Sequence, residues 1–496
     1  MATGAAWLVS FRLLDRLLGL TSTLVLARIL APTDYGLVAM AMSLGAFLEL
    51  FGAFSFDIAL IQRQGATREH FDTAWTMNVI IGLSIAVAML VLAVPAGKYY
   101  HQSQLPAVVC SLALASAIQG FENIGIVNFR KELNYFQEVR FLFFKRLVQV
   151  STTISLAFVL RNYWTLVIGI LVARVTGVSL SYFLHPYRPR FSLAAHHDLL
   201  HFSKWMLFSN ITGFIKDRSG DFIIGPNCGA HALGIFNVSA ELANMPATEL
   251  TAPINRAVFP AYARLAHDKD ALRAEYISVV SVVALIAIPA AAGIAATSSL
   301  IVPVALGAKW LDAIPVLGIL AFFGVTQILQ SNALSAYLAL GRPDLSAWNN
   351  LVQGVLLVGA LIPMTKFYGV IGGALAFLLT GALMLPITFA VIFPRIGLPV
   401  RQFLQATWRP VAAAGIMYFG VQAFVRLVTP PNATTLMQIQ VLLVSIVVGI
   451  AIYLLAVALL WWMVGRPEGG ELHIARRLPA AASRLSAKLR LFSPAK

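Results

Sequence analysis

The chain has 496 residues, of which 59% are hydrophobic and only 11% charged, with a formal charge of +15 and a mean hydropathy of +0.80. Soluble domains carry roughly 25% charged residues, so the composition excludes a soluble fold. It points to an all-α polytopic membrane protein, because lipid-buried backbone must satisfy its own hydrogen bonds. Cys110 and Cys228 form neither a disulfide framework nor a zinc pattern.

The first stretch, MATGAAWLVSFRLLDRLLGL, lacks a basic leader region and carries Arg12, Asp15 and Arg16 inside its apolar run. It reads as the first span and not as a cleaved signal. About twenty apolar residues cross about 30 Å of hydrocarbon. Such windows fall at 6–28, 36–58, 75–97, 106–128, 139–160, 163–184, 204–226, 231–255, 276–298, 314–338, 345–364, 368–393, 408–428 and 440–464. The expected organisation is a lobe of spans 1–6 over residues 1–198 and a second lobe of spans 7–12 over 199–396. Spans 13 and 14 follow over 397–464, then a basic tail over 465–496.

With the N-terminus inside, twenty-five of the 36 Lys and Arg fall on the cytoplasmic side, Lys145, Arg146 and Arg409 among them, and six fall outside. Positive charge is retained in the cytoplasm, which places both termini there. Because the charge is scattered over separate segments, nucleic acid is not an expected partner. The nine tryptophans lie near span ends, as an interfacial belt would. The connection His185–Phe202 reads as a linker between halves, and its His197 and His201 as part of an interfacial helix, not a zinc pair. Asn432 stands in a chance glycosylation triplet, and the tail RRLPAAASRLSAKLRLF suits an anionic inner leaflet, with membrane lipids as partners. Outer loops are too short for a catalytic domain. There is no phosphate loop, HExxH or GxSxG, so no enzyme, metal or organic cofactor is expected.

An internal repeat lays ARILAPTDYGLVAMA on GPNCGAHALGIFNVSA, with Gly36 on Gly234 at an offset of 198 residues. An even number of spans separates the copies, so the halves share one orientation, as in transporters built from parallel repeats. The repeat partners, spans one and seven, both carry charge at membrane depth. In span one Arg12, Asp15, Arg16, Gly19 and Thr23 share a face. In span seven Asn210, Gly213, Asp217, Gly220 and Asp221 form the corresponding stripe, flanked by Lys216 and Arg218.

A lipid-facing charge costs about 2.5–3.5 kcal/mol on insertion scales, so these side chains pair with one another or line a polar cavity. Pairing would join Asp15 to Arg12 or Arg16, and Asp221 to Lys216 or Arg218. A cavity with spare guanidinium groups would suit a phosphate-bearing substrate, since Arg matches phosphate oxygens bidentately. Asp217 and Asp221 are candidates for H⁺ or Na⁺ coupling or for counter-ion duty, as is Asp15. Glu49 and Glu122 show no partner in the sequence.

The stretches LARILAPTDYGLVAMA with IALIQRQ, NYWTLVIGILVAR, and DFIIGPNCGAHALGIFNVSAELANMPATELTAPINRAVFPAYARL resemble the polysaccharide transporter family of oligosaccharide flippases, a branch of the multidrug/oligosaccharidyl-lipid/polysaccharide exporter superfamily. The resemblance implies a bacterial inner-membrane protein of about fourteen helices, two six-helix lobes plus a final pair. It implies alternating-access transfer of an undecaprenyl-diphosphate-linked oligosaccharide, working beside the polysaccharide polymerase and export machinery. The family's cationic cavity would correspond to Arg12, Arg16, Lys216 and Arg218, with Asn210 beside them. The chain departs from the family in its short uncharged N-terminal arm and its dense KDRSGD cluster. Rival readings are a multidrug/cation antiporter of the same superfamily, which should favour carboxylates over span one's surplus arginine, and a glycan polymerase or ligase, which would need a larger outer loop. A structural scaffold would need no charge at membrane depth.

Overall fold

Backbone that lipid surrounds closes its hydrogen bonds within the segment, and in the computed structural model every regular element among the described residues is helical. Those residues are 2–50, 56–63, 65–196, 204–430 and 433–465. In order the longer helices are α1 (Ala2–Ile29), α2 (Pro32–Glu49), α3 (Phe56–Gln62), α4 (Arg68–Tyr99), α5 (Leu105–Gly120), α6 (Val127–Lys131), α7 (Tyr135–Leu160) and α8 (Trp164–Leu184). There follow α9 (Lys204–Ala243), α10 (Ala252–Leu265), α11 (Lys269–Ala296), α12 (Ala313–Ala339), α13 (Pro343–Ile396), α14 (Val400–Val428) and α15 (Thr435–Met463).

Local chemistry sets their ends. Pro32 opens α2, where its missing N–H costs nothing, and the Asp34 carboxylate accepts the Ala31 N–H at 2.8 Å. Asp268 caps α11 by accepting from the N–H groups of Asp270 and Ala271. The helices α9 and α13 are each two limbs joined at a glycine, Gly229 (φ 85°) and Gly369 (φ 60°), where other residues would be strained.

The fourteen expected spans fall largely on these helices, with breaks inside 106–128 (residues 121–126) and 231–255 (residues 244–251), and with residues 51–55 of the second span outside the described ones. Eight helices among the described residues are long and apolar enough to cross a membrane, one of them the two-limbed α13. The pair Leu105–Gly120 and Ile124–Lys131, bent by 64°, is a further broken span. The charges Arg12, Asp15 and Arg16 keep α1 out of that group, and α9's first limb is similarly interrupted by its own cluster.

The chain forms two compact units. The first holds α1–α8, most of α9, and the segments 305–311 and 361–373. In it α4 and α5 approach through glycines: a Cβ on Gly82 would sit 3.0 Å from the Gly120 Cα, the small-residue packing that membrane helices favour. The second holds α10–α12, α14, α15 and the rest of α13. Its core buries Tyr262, Tyr276 and Tyr337, and the Tyr262 hydroxyl hydrogen-bonds Asn332 at 3.1 Å.

Two expectations need correction. Lys145 and Arg146 are not cytoplasmic-segment residues but lie well inside α7, and Arg409 is buried within α14. Trp310 is no interfacial tryptophan: it is fully buried, and its Nε1–H donates to the Ala27 carbonyl at 2.8 Å, while Lys309 donates to Ile29 at 2.9 Å. Both satisfy carbonyls that the last turn of α1 leaves open. The stretch after α8 packs along α4, where Asp72 accepts from the Tyr187 hydroxyl at 2.6 Å and the Arg190 N–H at 2.8 Å. Phe191 packs on Trp75 with ring centroids 4.8 Å apart.

Candidate functional site

The charged face of α1 packs along α7. Trp7 meets Phe136 edge-on at 5.7 Å near the start of both helices. One face further along, Asp15 pairs not with its neighbours Arg12 or Arg16 but with Arg146 of α7, at 3.1 Å. The guanidinium of Arg146 lies across Gly19, where an added Cβ would stand 2.9 Å from Nη2. Arg146 also donates to the Gln149 side chain at 3.3 Å, and Arg12 is exposed. Arg12, Arg16 and Arg146 thus gather around Asp15 in this patch. Neighbouring Lys145 points elsewhere and pairs with Glu122 at 3.2 Å, supplying the partner that the sequence left unidentified. The spacing of Arg146 and Gln149, one turn apart in an apolar run, was the available signal for a polar face on α7.

On α9, Lys216 lies about 18 Å from the helix start at 1.5 Å per residue. Its ammonium is 3.5 Å from Asp217, whose side chain is 67% exposed. Gly213, one turn earlier on the same stripe, has nothing within 4 Å of a built Cβ, and Asn210 is half-buried. The far end of the stripe is different. Asp221 is only 6% exposed, accepting from Arg218 at 3.3 Å and from Asn237 of α9's returning limb at 3.1 Å. Arg218 itself stays 44% exposed. The cluster thus divides by depth: Lys216, Asp217 and Arg218 retain solvent-accessible surface, whereas Asp221 is held inside.

What Asp221 is held against follows from its surroundings. The Tyr99 hydroxyl at the end of α4 donates to the Phe222 carbonyl at 2.9 Å, and Gly225 leaves room for the Tyr100 ring, 2.7 Å from where its Cβ would be. Phe47 of α2 joins Phe214 and Phe222 in an aromatic seam.

Beyond that seam the two repeat glycines meet. A Cβ on Gly36 would lie 1.8 Å from the Ala230 carbonyl oxygen, and one on Gly234 would lie 1.8 Å from the Pro32 carbonyl oxygen. Each glycine touches the residue four positions before the other. This reciprocity is what a two-fold relation between the copies produces.

Both cysteines are free, and no cluster of three or more metal-ligating side chains occurs among the described residues. The histidines at 197 and 201, Asn432 and the basic tail lie outside the described residues.

Comparison with known proteins agrees with this architecture. A family model described as "Polysaccharide biosynthesis protein" matches residues 25–315. The lipopolysaccharide biosynthesis protein WzxC of Escherichia coli (strain K12) is 27% identical over 422 residues, covering 82% of this chain and 84% of that protein. The succinoglycan biosynthesis transport protein ExoT of Rhizobium meliloti (strain 1021) is 24% identical over 400 residues, covering 79% of this chain and 80% of its own. Among solved structures, the lipid II flippase MurJ in an inward closed conformation superimposes with a TM-score of 0.67 at 13% identity, over 92% of this chain and 99% of that one. At that identity the likeness speaks for the fold.

Proposed function

Since the chain belongs to the polysaccharide biosynthesis protein family, a family of membrane flippases within the multidrug/oligosaccharidyl-lipid/polysaccharide exporter superfamily, we propose that it moves a polyprenyl-diphosphate-linked oligosaccharide from the cytoplasmic to the periplasmic leaflet. The names of WzxC and ExoT, a lipopolysaccharide biosynthesis protein and a succinoglycan biosynthesis transport protein, support a glycan as the cargo. The observation that carries the reading is Arg12, exposed on α1 beside Arg16 and the Asp15–Arg146 pair. Guanidinium groups that keep accessible surface at membrane depth match a diphosphate, which presents several oxygens to bidentate donors.

In this account Arg12, Arg16, Lys216 and Arg218 hold the diphosphate in turn, and Asn210 hydrogen-bonds the adjoining sugar. The polyprenyl tail stays in lipid throughout. Asp15 orients Arg146, and Asp217 offsets Lys216. Asp221 fastens the outer end of α9 and is the carboxylate best placed to link that fastening to a proton or Na⁺. Transport follows when the site opens to one side of the membrane and then the other, with both termini cytoplasmic and no covalent chemistry by this chain.

The test is an Arg16→Ala, Lys216→Ala, Arg218→Ala triple variant expressed at the normal level. The reading expects polysaccharide output to collapse while membrane insertion persists. Output equal to the wild type would overturn it.

A further inference from the structure

The first unit contains a chamber of about 600 Å³ inside its own helix bundle, distinct from the arginine face of α1. This is within the range of small-molecule sites, about 300–1,000 Å³. Asp57, Arg130 and Glu138 line it where α3, α6 and α7 have their ends. From there it rises along α4 past Asn78 to Ile85, about 15 to 25 Å from the start of that helix.

The lining is polar in an unusual way. Its cations are engaged locally, Lys145 with Glu122 at 3.2 Å and Arg130 with Glu138 at 2.6 Å and Asp57 at 3.5 Å. Three further polar side chains, Glu49, Asn78 and Gln119, line the chamber without a hydrogen-bond or ion-pair partner among the described residues. Glu49 and Gln119 are exposed and Asn78 half-buried, so all three offer donors and acceptors to an occupant of the chamber. Phe141 and Phe129 supply apolar ring surface on the same wall.

That combination selects a ligand class. Four carboxylates against two cations disfavour a phosphate. A bare metal ion is disfavoured because no metal-holding cluster occurs among the described residues and because the space far exceeds an ion. Two amides, a carboxylate and aromatic faces suit a molecule that carries many hydroxyls on a partly apolar ring.

We infer that this chamber is a sugar subsite, which receives a sugar unit of the lipid-linked glycan at the cytoplasmic end of the lobe. The inference rests on the proposed function. Lys145 and Arg146, adjacent on α7 and about 100° apart around it, face the chamber and the α1 arginine patch respectively. One helix wall thus separates the place for sugar from the place for diphosphate.

The test compares ligands on the full-length protein in detergent. Binding titrations use sugar-free undecaprenyl diphosphate and the lipid-linked oligosaccharide extracted from cells in which the chain is native. Variants are Asn78→Leu/Gln119→Leu and, to guard against misfolding, the single Gln119→Leu at an exposed position. The chamber predicts that the wild type prefers the sugar-bearing lipid by about tenfold or more, from two or three hydrogen bonds. The double variant should lose that preference and the single variant part of it, with binding of the sugar-free lipid unchanged. A preference that survives in the variants, or no preference in the wild type, overturns the chamber and leaves the proposed function standing. A wild type that binds neither lipid removes the proposed function and the chamber with it.

Discussion

Replacing Gly36 by alanine tests the reciprocal glycine contact. The new Cβ would stand 1.8 Å from the Ala230 carbonyl oxygen, where 3.4 Å is ordinary contact, and the Ala230 carbon and the Gly234 nitrogen are also closer than 3.0 Å. The obstructing atoms are all backbone, so no side chain can swing aside, and the two segments must part by about 1.6 Å. Overpacking costs about 1–3 kcal/mol, and with no rotamer to relax the upper end applies. About 3 kcal/mol lowers the population of the closed contact by roughly two orders of magnitude. Hydrogen exchange of the amides at 33–37 and 230–236 should therefore accelerate up to about a hundredfold. Gly359→Ala, in a helix with nothing within 4 Å of the new methyl, should leave exchange unchanged. The Gly36→Ala/Gly234→Ala double variant should cost little more than either single change, because one opening relieves both clashes. Unchanged protection in Gly36→Ala would refute the contact.

Asp221→Leu should be worse than Asp221→Asn, which can still accept from Asn237 or Arg218; losing the acceptor should cost about 1–3 kcal/mol, read as thermal stability in detergent. Asp15→Asn should cost no more than about 1 kcal/mol, because the pair with Arg146 is about a third to a half exposed on both sides, but it should lower polysaccharide output by releasing Arg146. Trp310→Phe should cost about 1–3 kcal/mol by orphaning the Ala27 carbonyl. Burial holds the His185 imidazole below its usual value, opposed by Glu132 and reinforced by Arg188, and its Nδ1 must stay unprotonated to accept the Tyr187 N–H at 3.1 Å. Because the folded value is the lower one, its contribution is full above about pH 6.5 and is lost as pH falls through the folded value. Stability should decline over that acidic range, and His185→Asn should flatten the decline.

Most of the helical architecture was legible because its causes are local: apolar length, Pro32 with Asp34 at one helix start, and glycines at breaks such as Gly229. The repeat was legible too, since Gly36 and Gly234 are constrained by the same close approach. Partner choice was not legible. Asp15 had two arginines within a helical turn, yet it pairs with Arg146, 131 positions away. Nothing in the first span reveals that α7 carries a polar face against it. Likewise the stripe on α9 looks uniform in sequence, and only the packing of Tyr99, Tyr100 and Asn237 separates buried Asp221 from exposed Asp217. Hydropathy placed Lys145, Arg146 and Arg409 with cytoplasmic charge because it scores a side chain's polarity and not the company that satisfies it. The strap over α4 was hidden for a similar reason, since its backbone bonds go to Asp72, Thr73 and Thr76 rather than to a regular element.

The central claim is that this chain holds a lipid diphosphate bearing sugar. Native mass spectrometry of gently purified protein tests it most directly. The account predicts a co-purified polyprenyl-diphosphate oligosaccharide that is absent from the Arg16→Ala, Lys216→Ala, Arg218→Ala variant. Bulk phospholipid alone, even after the lipid-linked oligosaccharide is supplied, would contradict it.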